Sequence, residues 1–168
     1  DVLSLNGVAQ IQPIATKAGI LKGAEDFEGV VLKGVDENYN ASFFELSILE
    51  GHWPKISVDE RSDSILISNV LAKRLKLQLN QEAVMYFIQE PPRPPRLRKF
   101  YVAGIFATGL EEYDKTYIIG DLKQVQKLNG WATGEVGGYE ILLTSDEKLD
   151  DATAEVRNAL PYDLDAQS

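Results

Sequence analysis

Short apolar runs, separated by polar and glycine- or proline-containing stretches, set out the elements of this chain. Val8, Ile11 and Ile14 punctuate a β-prone stretch from Val8 to Pro13 after Asn6-Gly7, and Ala18 to Leu21 follows it closely. Both read as strands. Val30, Val31, Leu32 and Val35, with Gly29 and Gly34 beside them, form another β-branched segment. Ala41 to Leu49 carries Phe43, Phe44, Leu46, Ile48 and Leu49 and predicts a short helix, which Gly51 and Pro54 terminate.

A polar stretch from Ser57 to Ser64 leads into the apolar strand Ile65-Leu66-Ile67, with Ser68 or Asn69 placed to cap a following helix. In that helix Val70, Leu71, Leu75 and Leu77 share a side, while Lys73, Arg74 and Lys76 turn to solvent. Ala83 to Ile88 and Phe100 to Phe106 are two strong strands separated by the proline-rich stretch Gln89 to Lys99, a long-armed hairpin. A strand over Tyr117 to Ile119 then passes through Gly120-Asp121 into a helix over Leu122 to Leu128. After the glycines at 130, 134, 137 and 138 come a strand over Tyr139 to Thr144 and a helix over Leu149 to Leu160, ended by Pro161. The pattern is mixed α+β. No internal period points to a solenoid or propeller.

Composition adds limits. With 168 residues, 44% hydrophobic and 26% charged, the chain has the proportions of an ordinary folded domain. Its net charge of −9 argues against a nucleic-acid partner, since phosphate binding depends on positive charge. The longest apolar runs fall far short of the roughly 20 residues of a membrane span. The chain opens at Asp1 without a basic and apolar leader, so targeting information is expected elsewhere. The absence of cysteine removes disulfides, thiolate catalysis and thiolate metal sites together.

Catalytic chemistry finds little support. The single histidine, His52, lies in a Gly-His-Trp-Pro turn with no assignable partner, and the glycines match neither a phosphate-cradling loop nor a dinucleotide fingerprint. Three acidic clusters remain. Asp59 to Asp63 lacks the glycine and terminal glutamate of a calcium loop. Glu111, Glu112 and Asp114 follow a strand and are the candidate carboxylate pair for a hydrolase, with Glu112 as the residue to test. Asp146, Glu147, Asp150 and Asp151 stand at a helix start, where negative charge suits the macrodipole. For each cluster a solvated or capping role is the competing account. No catalytic residue, metal site or cofactor is assigned.

The unusual segment is Glu90 to Lys99, which contains Pro91, Pro92, Arg93, Pro94, Pro95, Arg96, Arg98 and Lys99. Its formal charge is +3 in a chain of −9, leaving −12 for the remainder. Four prolines in five residues hold the backbone near polyproline II, so the segment is expected to project as a semi-rigid finger. Three readings stand: a wet, rigid hairpin turn, a PxxP ligand for an SH3 domain, and a loop that docks a partner through cationic forks.

The order of segments also resembles a known family. Ile65-Leu66-Ile67-Ser68-Asn69-Val70-Leu71-Ala72-Lys73-Arg74-Leu75, then Phe100-Tyr101-Val102-Ala103-Gly104-Ile105-Phe106-Ala107-Thr108-Gly109, then Glu112-Tyr113-Asp114-Lys115-Thr116-Tyr117-Ile118 is similar to the extracytoplasmic domain of LolC/LolE-type ABC-transporter permeases, whose relatives include MacB and FtsX. Gly7-Val8 through Pro13, Gly34-Val35-Asp36 and Glu50-Gly51 fall in the same order, so the resemblance spans nearly the whole chain. Asn80-Gln81 departs from it, standing where the family usually has Gly-Asp.

The resemblance implies a MacB-like periplasmic core, with a porter-like α/β subdomain from residues 1–48 and 135–168 and an inserted, mostly β, sabre-like subdomain from 49–134. It implies a non-enzymatic domain on the periplasmic side of the bacterial inner membrane, between membrane helices outside this sequence, with ATP hydrolysed by a cytoplasmic subunit. It further implies lipoprotein release to a LolA-like periplasmic carrier, captured by a hook at the position of the 89–99 hairpin. Arg98 best matches a family docking residue, while the finger is shorter than the family's hook. Within the same superfamily, a MacB-like efflux or FtsX-like cell-division permease with another periplasmic partner is the alternative.

Overall fold

A computed structural model describes residues 2, 5, 7–144, 149–161 and 163–167. Its elements in chain order are β1 (Val8–Lys22), β2 (Phe27–Val35), α1 (Ser42–Glu45), β3 (Ile48–Gly51), β4 (Ser64–Ser68), α2 (Asn69–Leu75), β5 (Glu82–Phe87), β6 (Arg96–Phe106), α3 (Glu111–Thr116), β7 (Tyr117–Asp121), α4 (Leu122–Asn129), β8 (Gly138–Leu143) and α5 (Leu149–Ala159). The mixed α+β class read from the sequence is the class observed.

The two short strands expected at 8–13 and 18–21 are one 15-residue strand running through Pro13. Proline is tolerated there because the pairing of β1 with β2 begins only at Ile14, opposite Val35, so that ladder lacks no donor. The helix expected over 41–49 is reduced to the single turn of α1. Ile48 and Leu49 belong instead to β3, because antiparallel pairing with β6 takes the backbone groups that a helix needs. Gly51 is required by this contact: its φ is +72°, and a Cβ would lie 2.2 Å from the Ala103 carbonyl oxygen.

By density of contact the chain divides into two units, residues 1–12 with 139–168, and residues 13–138. In the smaller unit, the Thr144 N–H donates to the Gly7 carbonyl at 2.8 Å and Gln12 Nε2 donates to Glu140 Oε2 at 3.1 Å. Helix α5 buries Val156 and carries Asp150 and Asp151 in its first turn, as the helix dipole favours. Asp146 and Glu147 lie outside the described residues.

In the larger unit six strands form a closed circuit. β1 pairs antiparallel with β2, β2 parallel with β7, β7 antiparallel with β4, β4 parallel with β6, β6 antiparallel with β5, and β5 antiparallel with β1. β3 adds to β6 outside this circuit. One face carries Leu32, Ile65, Ile67, Met85, Phe87, Phe100, Val102 and Ile118, packed with Leu71 and Leu75 of α2 and Val125 and Leu128 of α4. The other face buries Val35, Leu66, Phe106 and Ile119 around Phe44, with Trp53 and Tyr113 packed against them. Burial on both faces explains why β4 reads as a continuous apolar run.

Local signals close the helices. Ser68, of the two cap candidates, accepts the Leu71 N–H at 3.1 Å, and Lys76 ends α2 in a left-handed conformation while the Leu77 N–H reaches back to Ala72 O at 2.9 Å. Asp121 caps α4 by accepting the Lys123 N–H at 2.9 Å. Asn80 takes a φ of +63° ahead of β5, which asparagine tolerates better than most residues.

Candidate functional site

The hairpin of β5 and β6 presents the cationic segment. Six residue pairs, from Glu82 opposite Tyr101 to Phe87 opposite Arg96, hold the two strands in register. Alternation sends Ala83, Met85 and Phe87 inward with Phe100, and sends Val84 and Tyr86 outward with Leu97 and Lys99.

The strand therefore begins at Arg96, four residues before the expected start at Phe100. Arg96, Leu97, Arg98 and Lys99 are rungs of the ladder, so the projecting part is confined to residues 88–95. The polyproline II expectation is also corrected. The Arg93 N–H donates to the Glu90 carbonyl at 3.1 Å, closing a turn that the extended, internally unbonded polyproline helix does not contain. Gln89 Nε2 then ties the loop across its base, donating to Pro94 O at 2.5 Å. Pro91, Pro92, Arg93, Pro94 and Pro95 are all exposed at the tip.

The four cations of the segment have separate environments. Arg93 makes no side-chain ion pair or hydrogen bond among the described residues and stands in solvent. Arg96 Nη1 donates to Leu128 O at 3.0 Å and to Lys127 O at 3.4 Å, capping the C-terminal carbonyls of α4, where positive charge is favoured. Lys99 pairs with Glu82 across the hairpin at 3.2 Å. Arg98 is half-buried, and its Nη1 donates to Leu97 O at 3.0 Å while its Nε is buried without a hydrogen-bond partner. Burial pulls the Arg98 pKa below the usual guanidinium value; repulsion from Arg96 and Arg61 adds to this and Asp63 opposes it.

Sequence reasoning missed the apolar half of the site. Ile88, Leu97 and Tyr101 are 63%, 44% and 50% exposed, so the outward side of the hairpin mixes apolar surface with positive charge. The signal was the period-two alternation of Leu97, Lys99 and Tyr101, which continues the Phe100 strand backwards into the segment.

Among the other candidates, Glu112 is exposed, while Asp114 and Asp63 bond to other segments of the fold. His52 is exposed, and its Nδ1 lies 2.8 Å from the Trp53 carbonyl. Asp114 is buried on α3 and accepts the Thr108 N–H at 3.1 Å and the Thr108 hydroxyl at 2.6 Å, while Glu111 pairs with Lys115 one turn along. Asp63 accepts Gln124 Nε2 at 2.7 Å. Among the described residues no group of histidine and acidic side chains is arranged to hold a metal ion, and no helix is long and apolar enough to cross a membrane.

Comparison with solved structures defines the class of fold: this is the fold of extracytoplasmic domains of ABC-type transporters. The extracellular domain of the noncanonic ABC-type transporter YknZ from Gram-positive bacteria matches with a TM-score of 0.57 at 14% identity, over 95% of this chain and 78% of that one. The periplasmic region of MacB from Actinobacillus actinomycetemcomitans matches with a TM-score of 0.56 at 12% identity, over 93% and 67%. No protein-family model matches the sequence, and no curated protein matches it either.

Proposed function

We propose that this chain is the extracytoplasmic domain of an ABC-transporter permease, on the periplasmic side of the inner membrane, and that its 88–99 hairpin docks a periplasmic lipoprotein carrier. The domain transmits motion, and a cytoplasmic ATPase subunit supplies the energy through membrane helices outside this sequence. The observation that carries the reading is the exposed tip of Pro91 to Pro95 with Arg93, set on a hairpin locked into a closed circuit of strands whose fold is shared with two transporter domains. A cationic tip that is already ordered loses little conformational freedom on meeting an acidic partner. Within this reading Arg93, Arg98 and Lys99 are the cations that engage the partner, while Arg96 holds α4 and supports the hairpin.

A pull-down of the carrier with residues 91–95 replaced by Gly-Ser is expected to lose binding; undiminished capture would overturn carrier docking at this tip. The shortness of the projecting loop, only residues 88–95, favours a second reading. There the domain belongs to an efflux or division-linked permease and the same tip meets a periplasmic adaptor or hydrolase activator. Co-purification from cells separates the two, since the captured proteins differ in kind.

A further inference from the structure

Strand β6 is covered unequally. β5 lies along one edge from Arg96 to Tyr101, but β4 accompanies the opposite edge only from Tyr101 to Phe106. Successive residues of a strand direct their N–H and C=O groups to alternate edges. The Val102 N–H donates to Gln81 O at 3.0 Å on the β5 side, whereas the Tyr101 N–H donates to Asp63 O at 2.9 Å on the β4 side. Stepping back by twos, Arg96, Arg98 and Phe100 address β5, and Leu97 and Lys99 address the other edge. No strand pairs with them there among the described residues.

The segment preceding β4 does not fill this position. It turns towards α4 at Ser62, whose N–H donates to Asp121 Oδ2 at 2.7 Å and whose carbonyl accepts Gln124 Nε2 at 2.8 Å. A bare edge of this kind is commonly blunted by charged side chains. Here the blunting is partial. Arg98 covers the Leu97 carbonyl with one donor and leaves Nε unbonded.

We propose that the Leu97–Lys99 edge of β6 receives an extended, acidic segment of the docking partner as an added strand; this deepens the hairpin-docking reading and rests on it. The N–H and C=O groups of Leu97 and Lys99 form the new ladder. Arg98 moves from the Leu97 carbonyl to a carboxylate of the incoming strand, which satisfies the guanidinium more fully than one neutral carbonyl does. Of the charged groups that act on Arg98, Arg96 and Arg61 are basic and Asp63 is acidic, so the balance around this edge favours negative charge. Main-chain bonds supply affinity with modest demands on partner sequence, while the exposed side chains of Leu97 and Tyr101 offer apolar contacts to alternate residues of the added strand.

Leu97→Pro tests this directly. It removes one edge N–H, keeps every charge, and removes no donor from the β5 ladder. Calorimetry with the purified carrier of the organism that encodes this chain is expected to show binding by Leu97→Pro weakened about tenfold or more relative to Leu97→Thr, which loses the same apolar side chain but retains the N–H. Hydrogen exchange on the unmutated complex is expected to show new protection at Leu97 and Lys99, a readout that does not depend on any variant folding. If the Gly-Ser replacement of residues 91–95 weakens binding while the edge amides stay unprotected and Leu97→Pro binds normally, strand addition is overturned and tip docking stands. Normal binding by both variants overturns both readings. Protection at this edge arising from self-association without carrier would assign it to a second copy and also overturn the proposal.

Discussion

Asp114 shows how a carboxylate that resembles a catalytic candidate serves the fold. Its oxygens draw in the Thr108 N–H and hydroxyl, and so fix the turn between β6 and α3. Asp114→Ala leaves those half-buried donors without their acceptor, and is expected to lower the unfolding free energy by about 1–2 kcal/mol in urea titrations. Asp36 gives the pH-dependent case. Burial raises its pKa above 3.8, outweighing the Asn38 N–H that favours the ionised form. A carboxyl with a higher pKa folded than unfolded binds protons more readily in the native state. Its stabilising contribution is full below the unfolded pKa and is lost as pH rises through the folded one. Asp36→Asn keeps an acceptor for Asn38, so thermal melts from pH 3 to pH 7 are expected to show less decline with rising pH at this site.

Among the elements, the β4–α2 unit was legible because its signals are local: an apolar run, a serine cap and a helix with one apolar side. Helix α3 was not, because Glu111 to Thr116 carries no apolar period and is positioned by Thr108 and by Tyr113 packing on Phe44. The early start of β6 was hidden for a related reason. Arg96 to Lys99 look like solvated loop residues, yet their register against β5 and the α4 carbonyls make them strand. Thus the location of the candidate site was readable from proline and charge, whereas the division of labour among its cations was a tertiary outcome. Arg96→Ala removes the cap on α4 and is expected to cost about 1 kcal/mol in denaturant titrations, against a change within about 0.5 kcal/mol for Arg93→Ala.

At the scale of the larger unit, closure of the strand circuit depends on contacts distant in sequence. Ile20 meets Tyr86, and Val31 meets Tyr117. Periodicity in the sequence specifies strands but not these partners, so the pairing that closes the circuit was not legible. Phe87 is wholly buried at the last rung of the hairpin, beside the projecting loop. Phe87→Ala is expected to destabilise by about 3–5 kcal/mol, read as a lower urea midpoint.

The register of β5 with β6 has a mechanical corollary. A tug on Pro92 along the hairpin axis would load both legs together, and the neighbouring rungs to β1 and β4 would share the strain sideways instead of parting one after another like a zip. Such a lever keeps its shape under traction, so displacement imposed at one end of the hairpin arrives at the other with little slack.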